Sequence, residues 1–179
     1  MPTNLAPIVA ATTHWLVRAY PAPAGAFSKA LAEAQARQAV TVAAWLRYPT
    51  TVDAALLYMV GPGGAGRLDW LVGADRPGTA DDVDEEQAWR SWVDEVVASW
   101  AACLLADADL ASRAVEAVRD CEYTRGLHYD FRRLTAPDER DRHAAPLLRH
   151  PDLLAPVADL HRAELLNRLG DTATGAEAA

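Results

Sequence analysis

Residues 26–47 contain neither proline nor glycine, and their apolar side chains recur at helical spacing. Phe27, Leu31, Ala34, Val42 and Trp45 form one stripe, and alanine, the strongest helix former, fills much of the remainder. Pro49 closes the segment, because proline lacks an amide hydrogen and biases its predecessor out of the α region. A chain with such a segment must find apolar partners for one long helical face, and the flanking sequence offers more of the same period.

Before it, Leu5, Val9, Leu16 and Tyr20 are spaced for a helix over 4–20, stopped by Pro21-Ala22-Pro23. After it, residues 51–73 support two readings. Thr51 and Asp53 are suited to cap a short helix running to Val60. Alternatively, a β-hairpin at about 56–72 turns at Gly61–Gly66, since Leu68, Trp70 and Val72 alternate with Arg67, Asp69 and Leu71. Residues 74–84 read as a polar loop whose acidic end, Asp81–Glu86, leads into a helix, where carboxylates favour the positive end of the helix dipole. The spacing of that run does not match a calcium-binding loop.

Over 85–106, Trp89, Trp92, Val93, Val96, Trp100 and Leu104 follow the i, i+3, i+4, i+7 pattern, and Arg90, Asp94 and Glu95 face away. A break near Asp107–Asp109 precedes a second helix from Leu110 to about Leu134, which Gly126 would weaken. Pro137, Pro146, Pro151 and Pro156 punctuate the rest, which predicts short helices at 138–149 and 152–169. Gly170 fits a helix stop, and 171–179 reads as a disordered tail. The expected fold is therefore mainly α: a single domain over 1–170, an irregular bundle of five to seven helices, with the hairpin at 56–72 left open.

Composition narrows the function classes. At 179 residues with 51% hydrophobic and 23% charged residues, the chain fits one globular domain that buries a core without disulfides or metals. Its two cysteines, Cys103 and Cys121, lie among alanines and valines and read as small buried hydrophobes. No stretch approaches the ~20 consecutive apolar residues of a membrane span, and no basic segment precedes an apolar one at the N-terminus, so a cytoplasmic protein is expected. Lys29 is the only lysine, and the bias to Arg, Ala, Gly and Pro matches a GC-rich coding source, as in many bacteria.

The net charge of −8 is uneven: residues 1–66 carry +2, residues 67–110 carry −8, residues 111–170 balance ten against ten, and the last nine carry −2. An acidic middle argues against a general polyanion binder, because phosphate contacts need clustered positive charge. A helix-turn-helix at 41–60 is equally unpromising, with Asp53 the only charged residue in its second segment.

Two constellations remain. Trp89, Trp92 and Trp100 are either a core face or an interaction face, since tryptophan is enriched in binding hot spots. Arg125, His128 and Arg132 share one face of a continuous helix at i, i+3 and i+7, with Tyr129 beside them. Arginine forks match phosphate and carboxylate, but Glu122, Asp130, Asp138, Glu139 and Asp141 are interleaved and offer ion pairs instead. Metal ligation is not expected: Cys121 and His128 at i+7 lie about 10 Å apart along a helix, too far to share an ion. Gly61–Gly66 lacks the Gly-Lys-Ser/Thr ending of a phosphate loop, and no Gly-x-Ser-x-Gly elbow occurs.

The sequence thus points to a non-enzymatic helical interaction protein, a subunit or adaptor of a larger assembly, with a protein partner or self-association and no cofactor. The alternative is an enzyme or small anionic-ligand-binding protein with a pocket of Arg125, His128, Tyr129 and Arg132.

Overall fold

The computed structural model describes residues 5–74, 85–125 and 128–176. Among them the protein is mainly helical, with ten α-helices and no strand. Seven helices have eight or more residues: α1 (Ala6–Ala19), α2 (Ala26–Arg47), α3 (Thr51–Val60), α5 (Glu95–Ala106), α6 (Ala108–Ala117), α9 (Pro151–Ala158) and α10 (Arg162–Ala176). Three are single short turns: α4 (Gly66–Leu71), α7 (Arg132–Thr135) and α8 (Glu139–Ala144). Two 3-10 segments, Glu85–Trp92 and Leu147–Arg149, complete the course of the chain.

The centre of the fold is α5. Every residue from Val97 to Leu105 is buried, with α2, α6, α9 and α10 packed around it. Ala98, Ser99, Ala101, Ala102 and Cys103 are small enough for helix axes to approach closely on several sides. Helix α2 lies along both α1 and α5, so the long Ala-rich segment is the spine joining the N-terminal helices to the core.

Capping explains where the helices begin and where the sequence periods mislead. The expected helix over 85–106 is two elements, because Asp94 adopts extended backbone and its carboxylate accepts from the Val97 amide, starting α5 afresh. Asp94 is therefore buried rather than outward-facing. Asp107 accepts from the amides of Asp109 and Leu110, so the expected break at 107–109 is a shared stop and cap. The hairpin at 56–72 does not form. Thr50 and Asp53 make a reciprocal capping box, which nucleates α3, and Gly61 ends it with φ of 78°. Leu68, Trp70 and Val72 alternate by chance of composition; Leu68 is buried in α4, while Trp70 is exposed.

The expected helix from Leu110 to Leu134 is also divided. Helix α6 ends at Ala117, hydrogen-bonded turns follow through Thr124, and α7 starts only at Arg132. Thr124 contributes to the stop by turning its hydroxyl onto the carbonyls of Val118, Arg119 and Cys121. Gly126 lies outside the described residues, as does the loop over 75–84 with most of the acidic run. At the other end, α10 passes through Gly170 to Ala176; 177–179 lie outside the described residues.

Candidate functional site

Helix α3 is apolar on every side, yet only Ala54 and Leu57 are buried. Asp53 is its one charged residue, and the capping box occupies that carboxylate. Outward, Val52 is 66% exposed, Leu56 52%, Met59 79% and Val60 85%. With Ala55, these residues fall at i, i+3, i+4, i+7 and i+8, the spacing of a helix face built for burial. The N-terminal end of α3 is held in place by the turn after α6: the Thr51 amide donates to Glu122 at 3.0 Å, and the Tyr123 hydroxyl donates to the Thr50 carbonyl at 2.9 Å.

Beside this face runs an open cleft of about 520 Å³ between α3 and the start of α5, with Leu56 and Val60 on one wall and Asp94 and Val96 on the other. Arg47 and Asp53 line it as well. Tyr48 donates to Asp94 at 2.5 Å, and burial followed by that carboxylate pushes the Tyr48 hydroxyl well above the ordinary tyrosine range. It is a fixed donor at neutral pH, set with Arg47, Asp53 and Glu95 beside the apolar wall of Leu56 and Val60.

The tryptophans anticipated as one face are separated. Trp100 is buried at 3% exposure, and its indole donates to the His161 carbonyl at 3.1 Å. Trp89 and Trp92 are half-buried on the 3-10 segment. Trp89 packs on His14 with ring centroids 4.3 Å apart, and Trp92 on Tyr58 at 5.5 Å. Division of the helix at Asp94 is what takes Trp100 off the face shared by the other two.

Arg125, His128, Tyr129 and Arg132 are all exposed. Arg132 pairs with Asp138 at 3.6 Å. Glu122 is engaged by Thr51, and Asp130 accepts from the Arg132 amide at 2.8 Å. His128 and Tyr129 line a recess of about 500 Å³ with Arg119 and Phe131, and neither Arg125 nor Arg132 reaches it. Tyr129 packs edge-on against Trp45, 4.7 Å between centroids, in an aromatic cluster that includes Tyr123 and Phe131. The neighbouring arginines serve the fold. Arg133 pairs with buried Asp141, and Arg149 donates to the carbonyls of Arg133 and Leu134. Burial, then the nearby Arg142, pulls Arg149 down to about 10, which still leaves it charged at neutral pH.

One titratable cluster ties the last helix to the core. Both ring nitrogens of His161 lie 2.8 Å from carboxylates, Nδ1 from Glu164 and Nε2 from Glu95. Glu95 also pairs with Arg67 at 3.2 Å. Burial alone would lower the His161 pKa, but the hydrogen bonds to Glu164 and Glu95 outweigh it and raise the pKa above its usual value. The stabilisation is therefore complete below the unfolded pKa of about 6.5 and is lost as pH rises through the higher folded value. The urea midpoint should fall between pH 6 and pH 8.5 by more in the wild type than in His161→Gln. Equal falls in the two proteins would show that the histidine is not the titrating group. Close by, Cys103 donates to the Ala158 carbonyl at 3.3 Å, and burial pushes its thiol up to about 11, which makes it an inert core residue.

Two sets of residues went unmarked in the sequence. The α3 stripe of Val52, Leu56, Met59 and Val60 was hidden by the competing strand period. His14 and Arg18 on α1, and Lys29 and Arg37 on α2, are spaced in multiples of four on consecutive helices, a signal legible in retrospect. No known protein family, curated protein or solved structure matches this chain.

Proposed function

We propose that this protein is a non-enzymatic, cytoplasmic interaction protein, a helical subunit or adaptor of a larger assembly, and that the outer face of α3 is its docking surface. The observation that carries this reading is the exposure of Val52, Leu56, Met59 and Val60 on a helix with a single charged side chain. A helix that is apolar all round belongs in a core. Here one side has no cover among the described residues, and burial of such side chains contributes about 25 cal/mol per Å². The fitting partner surface is an apolar helix laid along α3, on a second protein or a second copy, with the adjacent cleft accepting its protruding side chains.

Native mass spectrometry of the protein purified gently from its own host tests the proposal. The expected mass exceeds the 19.3 kDa chain by whole protein units. The double substitution Met59→Lys with Val60→Lys should abolish that species while changing stability by no more than about 0.5 kcal/mol per site, because both side chains are exposed and cations suit the last turn of α3. A bare monomer, or an assembly indifferent to the two substitutions, would defeat the α3 reading.

A further inference from the structure

A second cleft, of about 470 Å³, lies between α1 and α2 and gathers the cationic side chains of Arg18, Lys29 and Arg37, with His14 beside them, in a chain of net charge −8. His14 and Arg18 come from α1, and Lys29 and Arg37 from α2. The one carboxylate on its wall, Glu33, is taken by Arg37 at 3.0 Å. Among the described residues no carboxylate pairs with Arg18 or Lys29. Like-signed side chains drawn to one concavity repel unless an anion sits among them.

The cleft has two further properties of a binding site. Thr13 lines it, is 1% exposed, and has a hydroxyl with no hydrogen-bond partner among the described residues. Buried hydroxyls are nearly always paired; this oxygen has almost no exposed surface of its own, so a ligand oxygen would pair with it only after a small shift of the atoms that cover it. The remaining walls are apolar, formed by Ala10, Val17, Pro21 and Ala22, and a volume of this size is within the range of small-molecule pockets. His14 and Arg18 are also braced: Trp89 packs on the imidazole at 4.3 Å, and the Arg18 guanidinium lies 5.9 Å from the same ring. Trp89 thereby restricts two of the four groups before any ligand arrives, which lowers the ordering cost of binding.

We propose that this cleft binds a small organic phosphate, a dianion carrying a compact apolar group. Arg18 supplies a planar fork matched to phosphate oxygens and Lys29 a point charge. Thr13 offers the hydroxyl, and the apolar walls take the organic substituent. The site is separate from the α3 face, so it stands or falls independently of the interaction reading.

Phenyl phosphate is the probe, followed by amide NMR of the intact chain. Saturable shifts confined to α1, α2, the turn between them and the segment around Trp89 are expected, with a dissociation constant in the millimolar range or below. Inorganic phosphate should bind more weakly, because it leaves the apolar walls unused. Arg18→Gln with Lys29→Gln should weaken phenyl phosphate at least about tenfold, with an unchanged unfolding midpoint, since both side chains are exposed. Thr13→Val, which keeps the shape and removes the hydroxyl, should weaken it several-fold. Arg119→Gln, at the recess beside His128, should leave the affinity unchanged. Absence of saturable shifts, equal affinity in the double variant, or an Arg119→Gln loss as large as that of the double variant would each overturn the assignment.

Discussion

Asp69→Ala is expected to lower the unfolding free energy by about 3–5 kcal/mol, the scale of removing one partner from a buried ion pair. Asp69 sits on α4 and is buried. One carboxylate oxygen accepts from the Trp15 indole of α1 at 2.9 Å, and the other pairs with Arg90 of the 3-10 segment. Three chain segments far apart in sequence meet at this one group. Alanine would leave the indole N–H buried without an acceptor and an arginine side chain that is only 27% exposed without its counter-charge. Asp69→Asn separates the two contributions: its amide oxygen still accepts from Trp15, so it should cost clearly less than alanine. Urea midpoints of the three proteins provide the measurement, and an unchanged midpoint for Asp69→Ala would mean that Trp15 and Arg90 find solvent instead.

Asp141→Ala should be comparably damaging, at about 3–5 kcal/mol, for an ion pair and one half of a capping box lost together. Asp141 is 2% exposed and pairs with Arg133. It also accepts from the Asp138 amide at 3.2 Å, while its own amide donates to Asp138 at 2.9 Å, closing the capping box of α8. The consequence reaches further, because the Arg133 carbonyl accepts from Gln35 of α2 at 3.1 Å and from Arg149 at 2.8 Å. Arg133 and Arg149 thus join α7 and α8 to the spine of the fold. Asp141→Ala should release this corner first, with amide exchange accelerating over 132–149 before the rest of the molecule opens. Uniform exchange across the chain would place the corner in the global unfolding unit instead.

These two carboxylates illustrate which features the sequence made legible. The interleaving of Asp138 and Asp141 with the arginines already suggested pairing, and the structure pairs Arg132 with Asp138 and Arg133 with Asp141. Asp69 gave no such hint, since Trp15 and Arg90 are 54 and 21 residues away. The α1, α2 and α5–α6 boundaries at Pro21, Pro49 and Asp107 were readable because helix stops and caps involve atoms within four residues of one another. Asp94 and the Thr50–Asp53 box obey the same local rules, but strong periodicity around them concealed the first, and an accidental alternation at 68–72 competed with the second. The expectation of one shared face for Arg125, His128 and Arg132 assumed a helix continuous from 110 to 134, whereas α6 ends at Ala117 and α7 starts at Arg132, with His128 and Tyr129 lining one recess between them.

What the sequence determined by itself was that this chain would be a mainly helical bundle punctuated by proline, glycine and capping aspartates. Hydrogen bonding within helices is local, and so are the signals that begin and end them. Which apolar helix would be covered was decided only by tertiary packing. Helices α3 and α5 are both strongly apolar, with Asp53 and Glu95 their respective charged residues. The small side chains of α5 admit four neighbouring helices and disappear into the core, while α3 lies at the margin with Leu56, Met59 and Val60 uncovered. Periodicity records that a face is apolar; only the arrangement of the other helices determines whether anything lies against it.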